Sequence, residues 1–154
     1  MRNLVALCAV TAVVAGCGGP RSASAPTTAL LSGVHVDGTS ATFEFHSPPG
    51  LVRTHFRPRS QIAQSGSGQK VPLRGRAFLV VSFFPAATAE MSMTGLMFSY
   101  TGPRRLRPGT PGPVQELVKI GDFEAQLDWA IGLDRRRPVH VRRDGTTVTL
   151  TVGS

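Results

Sequence analysis

The stretch GDFEAQLDWAIGLD, Gly121–Asp134, holds four of the chain's nine acids (Asp122, Glu124, Asp128 and Asp134) in a chain whose net charge is +8. Paired carboxylates are what glycoside hydrolysis uses, one as general acid and the other as base or nucleophile, with about 5 to 9.5 Å between them. The spacing here argues against that use. Every odd position from Phe123 to Leu133 is apolar, and the even positions are acidic, amide, small or glycine, which is the period of a half-buried strand. A helical stripe through Phe123, Leu127, Ala130 and Ile131 leaves Trp129 and Leu133 on other faces and must absorb Gly132. On a strand rising ~3.4 Å per residue, Glu124 and Asp128 stand ~13 Å apart. A solvated face offers neither burial nor a shared proton to tune such acids. The expectation is one strand, its odd residues in the core and its acids facing outward, opposite cross-strand arginines.

The other residue types that carry chemistry are sparse. The four histidines are His35, His46, His55 and His140. Three imidazoles suit zinc, but these lie in no His-x-x-x-His pair and match no ligand spacing, so no metal site is expected. Ser67 sits in SGSGQ, which lacks the Gly-x-Ser-x-Gly elbow and its strand-turn-helix context. No glycine loop opens a helix to cradle phosphate, and no cofactor is indicated. Arginine runs at Arg104, Arg105 and Arg107, at Arg135, Arg136 and Arg137, and at Arg142 and Arg143 offer bidentate grips for phosphate or carboxylate. Of these, Arg104, Arg105, Arg107, Arg135, Arg136 and Arg137 are the candidate anion-binding residues. With one Tyr and one Trp to stack on bases, nucleic acid is not an expected partner. No catalytic residue is assigned, and the chain is expected not to be an enzyme.

The elements that must position these residues are short and β-forming. Gly, Pro or Asp-Gly interrupts the chain about every ten residues, the punctuation of an all-β fold, here a β-sandwich of short antiparallel strands. VHV (34–36) and ATFEFHS (41–47) read as a hairpin around Asp37-Gly38-Thr39-Ser40. After Pro48-Pro49-Gly50 comes LVRTHF, then RPRSQIAQSGSGQK as a polar loop. The apolar run RAFLVVSFF (76–84) predicts a strand buried on both faces and closed by Pro85. ATAEMSMTGLMF fits either a helical turn or a loop, YTGPRRLRPGTPGP reads as a rigid connection, and VQELVKI begins a further strand. VHVRRDGTTVTLTV closes as a hairpin around Asp144-Gly145.

The N-terminal MRNLVALCAVTAVVAGCGG has a basic start at Arg2 and an apolar run from Leu4 to Gly16, shorter than the ~20 residues a membrane span needs. It ends in VAGC, the small-residues-then-cysteine pattern of a bacterial lipobox, so residues 1–16 read as a lipoprotein signal peptide and Cys17 as the lipidated residue. Ordinary cleavage after ASA (23–25) would put Pro26 directly after the cut, a poor site for signal peptidases. Residues 17–30 read as the lipidated cysteine and a flexible Gly/Pro/Ser/Ala/Thr tether, and residues 31–154 as one domain. Cys8 leaves with the peptide, so no disulfide or thiol nucleophile is expected. The remaining 16 Lys+Arg against 9 Asp+Glu give the processed chain a net +7. That charge favours anionic partners such as wall polymers or lipid headgroups. Arginine makes up 15 of the 17 basic residues, a bias a GC-rich genome would also produce.

PPGLVRTHFRP, SGQKVPLRGRAFLVVSFFPA, YTGPRRLRPG and above all GDFEAQLDWAIGLDRRRPVHV resemble the actinobacterial AMIN-like lipoproteins, over roughly Gly33 to Val152 with the blocks in the same order. The resemblance implies an AMIN-related β-sandwich, a non-catalytic module that targets cell-wall amidases and secretion channels to the envelope, in some cases by binding peptidoglycan. It supplies no catalytic residues. The chain departs from it at TVTLTVGS, where relatives finish on an acidic Val-Asp-Val-like strand. The expected function is a lipid-anchored protein on the extracytoplasmic face of the cell membrane, binding peptidoglycan or another anionic wall component. The alternatives are an envelope assembly partner or lipid carrier with an apolar patch near MSMTGLMF, and, less favoured, a hydrolase whose pocket gathers His35, His46, His55 or Glu124.

Overall fold

A computed structural model describes residues 27–153; the expected signal peptide, Cys17 and most of the expected tether lie outside the described residues. The first half of the chain forms β1 (Ala29–Val36), β2 (Ser40–Phe45), β3 (Leu51–Arg57), β4 (Ala77–Phe84), β5 (Ala86–Ala87), β6 (Ala89–Ser92) and β7 (Gly95–Phe98). The second half forms β8 (Arg105–Leu106), β9 (Val114–Phe123), β10 (Gln126–Leu133), β11 (Val139–Asp144) and β12 (Thr147–Val152). They build two five-stranded sheets, ordered β11-β12-β2-β1-β5 and β3-β4-β10-β9-β8, and a separate β6-β7 hairpin. The fold is an all-β sandwich. All pairings are antiparallel except β1 with β5, where Ala29 meets Ala86.

Turn chemistry fixes the expected hairpins. The Asp37 carboxylate accepts from the backbone N–H groups of Thr39 and Ser40 and from both their hydroxyls, which closes the β1–β2 turn. Those bonds, the Thr39 N–H first, hold its pKa below the ordinary carboxylate range against a smaller opposing effect of burial. Gly145, with φ 56°, turns β11 into β12. β4 pairs with β3 on one side and β10 on the other, and Phe78 to Val81 are all buried, as its continuous apolar run predicts.

Between the sheets lies one aromatic-rich core. Phe43 of the first sheet meets Phe83 (4.9 Å between centroids) and the edge of Trp129 (5.8 Å) in the second, and Phe45 meets Phe83 at 5.1 Å. Tilted pairs of this kind contribute ~0.5–1.5 kcal/mol each beyond their area burial. A second cluster covers the other face of the second sheet, where Ile62, Val71 and Leu73 pack on Phe78, Val80, Val118, Ile120 and Ala130. The expected polar loop after β3 is therefore a strap, residues 58–75, with a 3-10 turn at Arg59–Gln61 and with Ile62 only 1% exposed.

Three further expectations need correction. Gly121–Asp134 is not one strand: β9 ends at Phe123, Glu124 and Ala125 make a turn, and β10 returns from Gln126. Its outer face is not solvated either, because the strap lies over it; Asp128 is buried, accepts from Gln126 Nε2 at 2.9 Å and stands opposite Gly121 and Ser82 rather than arginine. The segment read as helical turn or loop is the β6–β7 hairpin, whose residues pair from Ala89↔Phe98 to Ser92↔Gly95. Lastly, β1 begins at Ala29, two residues ahead of the expected boundary, because Ala29 is fully buried and Leu30 pairs with Ala87.

Candidate functional site: an arginine-lined cleft

One end of the second sheet gathers five guanidinium groups from three separate parts of the chain. Arg57 ends β3, Arg59 lies in the 3-10 turn, Arg76 precedes β4, and Arg135 and Arg136 follow β10. They line an open cleft of about 840 Å³ whose walls include Phe56 and Phe78 and no carboxylate. The strap reaches this place by a close approach. Gly75 has φ +122°, and a Cβ there would meet the Leu133 carbonyl at 2.6 Å, so only glycine fits while Arg76 N–H donates to the same carbonyl at 2.7 Å.

Each arginine is held differently. Arg59 donates from Nη1 to the Leu73 carbonyl (3.0 Å) and from Nη2 to that of Gly75 (2.9 Å), and it lies over the Phe78 ring at 4.5 Å. Arg136 lies over Phe56 at 4.6 Å. Such stacking contributes ~0.5–1 kcal/mol at exposed sites and orients the guanidinium plane. Arg57 Nε donates to His55 Nε2 at 2.5 Å, which requires that nitrogen to be unprotonated. Burial, and then the Arg57 charge, push the His55 pKa down against a weaker pull from Asp128. None of the five forms an ion pair among the described residues. Five like charges against one nearby acid, Asp134 beside Arg135 and itself gripped by Arg137, raise the local potential and favour an anion, above all one that takes two N–H bonds from a guanidinium.

The six arginines expected from sequence divide. Arg135 and Arg136 line the cleft. Arg137 grips Asp134 through Nε (2.9 Å) and Nη2 (2.8 Å); this bond foremost, with the Arg135 N–H, holds the Asp134 pKa down to about 2. Arg105 and Arg107 reach Glu116, at 2.7 and 2.9 Å. Arg104 donates to Gln64 on the strap at 3.3 Å. The first run is thus mostly neutralised, whereas Arg57, Arg59 and Arg76, outside the three expected runs, complete the cleft. Glu116 is not among the residues the sequence analysis singles out, although a lone acid inside the apolar run VQELVKI marks a charge whose partners lie elsewhere in the fold.

The histidines do not converge: His35 (3.7 Å from Glu44) is on the first sheet, His46 just follows β2, His140 is on β11 and His55 is on the second sheet. Among the described residues no group of three or more His, Cys, Asp or Glu is arranged to hold a metal. The model of the AMIN-like domain matches residues 28–152, from one residue before β1 to the last residue of β12. The chain belongs to the AMIN-like family. No curated protein and no solved structure matches it. In this AMIN-like domain all five cleft arginines fall inside the matched region, on or beside strands of the second sheet.

Proposed function

We propose that the protein is a non-catalytic envelope module, lipid-anchored through Cys17 on the extracytoplasmic face of the membrane, that binds an anionic cell-wall polymer in the arginine cleft. The observation that carries this reading is the convergence of Arg57, Arg59, Arg76, Arg135 and Arg136 on one open cleft with no carboxylate in its walls. Membership of the AMIN-like family supports an envelope role, with peptidoglycan or its attached polymers as the ligand class. An open cleft suits a chain that passes through it, and planar guanidiniums suit phosphodiester or carboxylate groups along that chain. Exposed charges are screened beyond ~8 Å at physiological ionic strength, so binding must weaken with salt.

The test is retention of the processed chain on purified cell wall across a salt series, with mass spectrometry of the supernatant for released wall fragments. Retention that falls steadily with salt, is lost in an Arg76→Ala/Arg136→Ala variant and releases no fragments is the expected result. No retention at low salt, or retention unaltered by the double substitution, sinks the cleft as the site; released fragments sink the non-catalytic reading.

A further inference from the structure

The end of the sandwich opposite the cleft is apolar, and there the chain enters the fold. Ala29 lies at that end, beside Ala86. Following β5 and touching β1 at the edge of the sandwich stands the β6–β7 hairpin, with Met91 78%, Met93 106%, Leu96 54%, Met97 54% and Phe98 63% exposed. Register places Ala89, Met91, Leu96 and Phe98 on one face of the hairpin and Glu90 and Met97 on the other, with Met93 at the tip. Beside its base Leu51 pairs with Phe84, and Phe84 and Phe123 line one depression; these three are 41%, 48% and 68% exposed. The base itself is firm: Thr88 accepts from the Ser99 and Tyr100 N–H groups and bonds Asp122, which also pairs with Lys119 at 2.9 Å. A rigidly held hairpin that presents methionine, leucine and phenylalanine to water carries more exposed apolar surface than folding requires.

We infer that this apolar end is a bilayer-docking surface: the Met93 tip and the Met91/Leu96/Phe98 face enter the outer leaflet. The inference rests on the lipid-anchor reading for its choice of occupant. Eleven residues, 18–28, lie between Cys17 and Ala29, so twelve Cα–Cα steps join them. Even fully extended these steps span at most about 43 Å, so a lipidated Cys17 holds Ala29, where the chain enters this end of the fold, within that distance of the membrane. The surface is a projecting tip rather than a groove, which suits a fluid medium better than a fitted protein pocket. A two-stranded hairpin leaves unpaired backbone groups along its edges, so it cannot cross hydrocarbon and must stop at the headgroup–acyl boundary, ~5–10 Å deep. The exposed charges at this end, Glu90, Glu124 and Asp144 against Arg142 and Arg143, whose Nη2 donates to the Gly50 carbonyl at 2.9 Å, nearly balance. The attraction is therefore apolar rather than electrostatic, and it is insensitive to salt where wall binding is sensitive.

Trp129 is the one tryptophan and is fully buried, which leaves a clean background for introduced indoles. Met93→Trp, Leu96→Trp and, near the opposite end, Thr151→Trp variants of the processed chain are reconstituted into phosphatidylcholine vesicles with or without acyl-brominated lipid. The indoles at 93 and 96 are expected to lose most of their added emission to the brominated lipid, equally in molar salt, while the Thr151→Trp indole is unaffected. Emission at 93 and 96 that behaves like that at 151 overturns the inference, as does shielding found only in native envelopes, where the hairpin photo-crosslinks to a protein. Mass spectrometry of Cys17 separates the two readings. An acylated Cys17 without quenching refutes docking and leaves the anchor standing, whereas quenching with an unmodified Cys17 does the reverse.

Discussion

Glu116 is the residue on which the outer layer of the molecule turns. Its side chain is 1% exposed, and its carboxylate accepts from the Arg74 N–H at 2.9 Å and meets Arg105 Nη1 at 2.7 Å and Arg107 Nε at 2.9 Å. Burial is the largest single influence on its pKa and pushes it up. The three hydrogen bonds and the Arg105 charge together outweigh burial and hold the group below its ordinary 4.5. A carboxylate whose folded pKa is depressed contributes stability that is present above the unfolded value and is lost as pH falls through the folded one. Glu116→Gln is therefore expected to cost about 2 to 3 kcal/mol at neutral pH, because two cations lose their counter-charge while the Arg74 N–H keeps an acceptor. It should also flatten the loss of stability below 4.5. Urea melts of both chains from neutral to acid pH read this directly; parallel pH curves would show that Glu116 is not ionised in the fold. Asp134, held down to about 2, adds an acid-sensitive contact in the window below its ordinary 3.8, so some slope remains in the variant.

The hairpin of β9 and β10 shows where a residue pattern stops being a guide to an element. Phe123 pairs with Gln126, so the turn has two residues, Glu124 and Ala125, at φ 51° and 58°. Positive φ at both positions is the type I′ pattern that Asn-Gly serves best. A left-handed conformation costs non-glycine residues ~1–2 kcal/mol each, while glycine's extra freedom in the unfolded chain takes back part of the gain. Glu124→Asn with Ala125→Gly is expected to raise stability by about 1 kcal/mol, a Tm gain of about 3 to 5 °C in a domain of this size, read by thermal melts. An unchanged or lower Tm would mean that these residues make contacts worth more than the backbone cost. A two-residue turn also inverts parity. Phe123 shares the outer face with Gln126 and Asp128, and the alternation that runs unbroken through Phe123 and Ala125 describes only Leu127–Leu133. Where Asp37-Gly38 and Asp144-Gly145 mark their turns, both hairpins are legible in the sequence; without Gly or Asn at 124 and 125 this one is hidden. The β6–β7 hairpin escapes for a related reason, since its apolar residues face water and no core imposes a period on them. Of the cleft, Arg135 and Arg136 are legible as a charge run. Arg57, Arg59 and Arg76 meet them only through the pairing of β3 with β4 and β4 with β10, which no local window contains.

At the scale of the whole molecule the fold has three layers: the first sheet, the second sheet, and the strap of residues 58–75 across the second sheet's outer face. The strap is tied down at few points. Ser65 N–H donates to the Ile120 carbonyl at 2.7 Å, Arg105 Nη2 to that of Pro72 at 2.9 Å, and the Arg74 N–H to Glu116, while Ile62, Val71 and Leu73 supply the burial. Strands β4 and β10, by contrast, are paired on both sides and packed on both faces. The strap is therefore a unit that opens at lower free energy than the sandwich. Ile62→Ala leaves a hole under it and is expected to cost about 2 to 4 kcal/mol. Hydrogen exchange at Ser65 and Val71 should speed by about 30-fold or more, while Ala130 and Ile131 in β10 keep their protection as long as the sandwich stays closed. Equal acceleration at all four amides would show that strap and sandwich open as one. The same exchange reads the cleft, because Arg59 rides on the strap whereas Arg135 and Arg136 are fixed after β10. An anion bridging them binds only the closed strap and stabilises closure by RT ln(1 + [L]/Kd). Adding soluble wall polymer should therefore slow exchange at Ser65 and Val71 and leave the β11–β12 hairpin unchanged, and a Val71 rate indifferent to polymer would place the ligand away from Arg59.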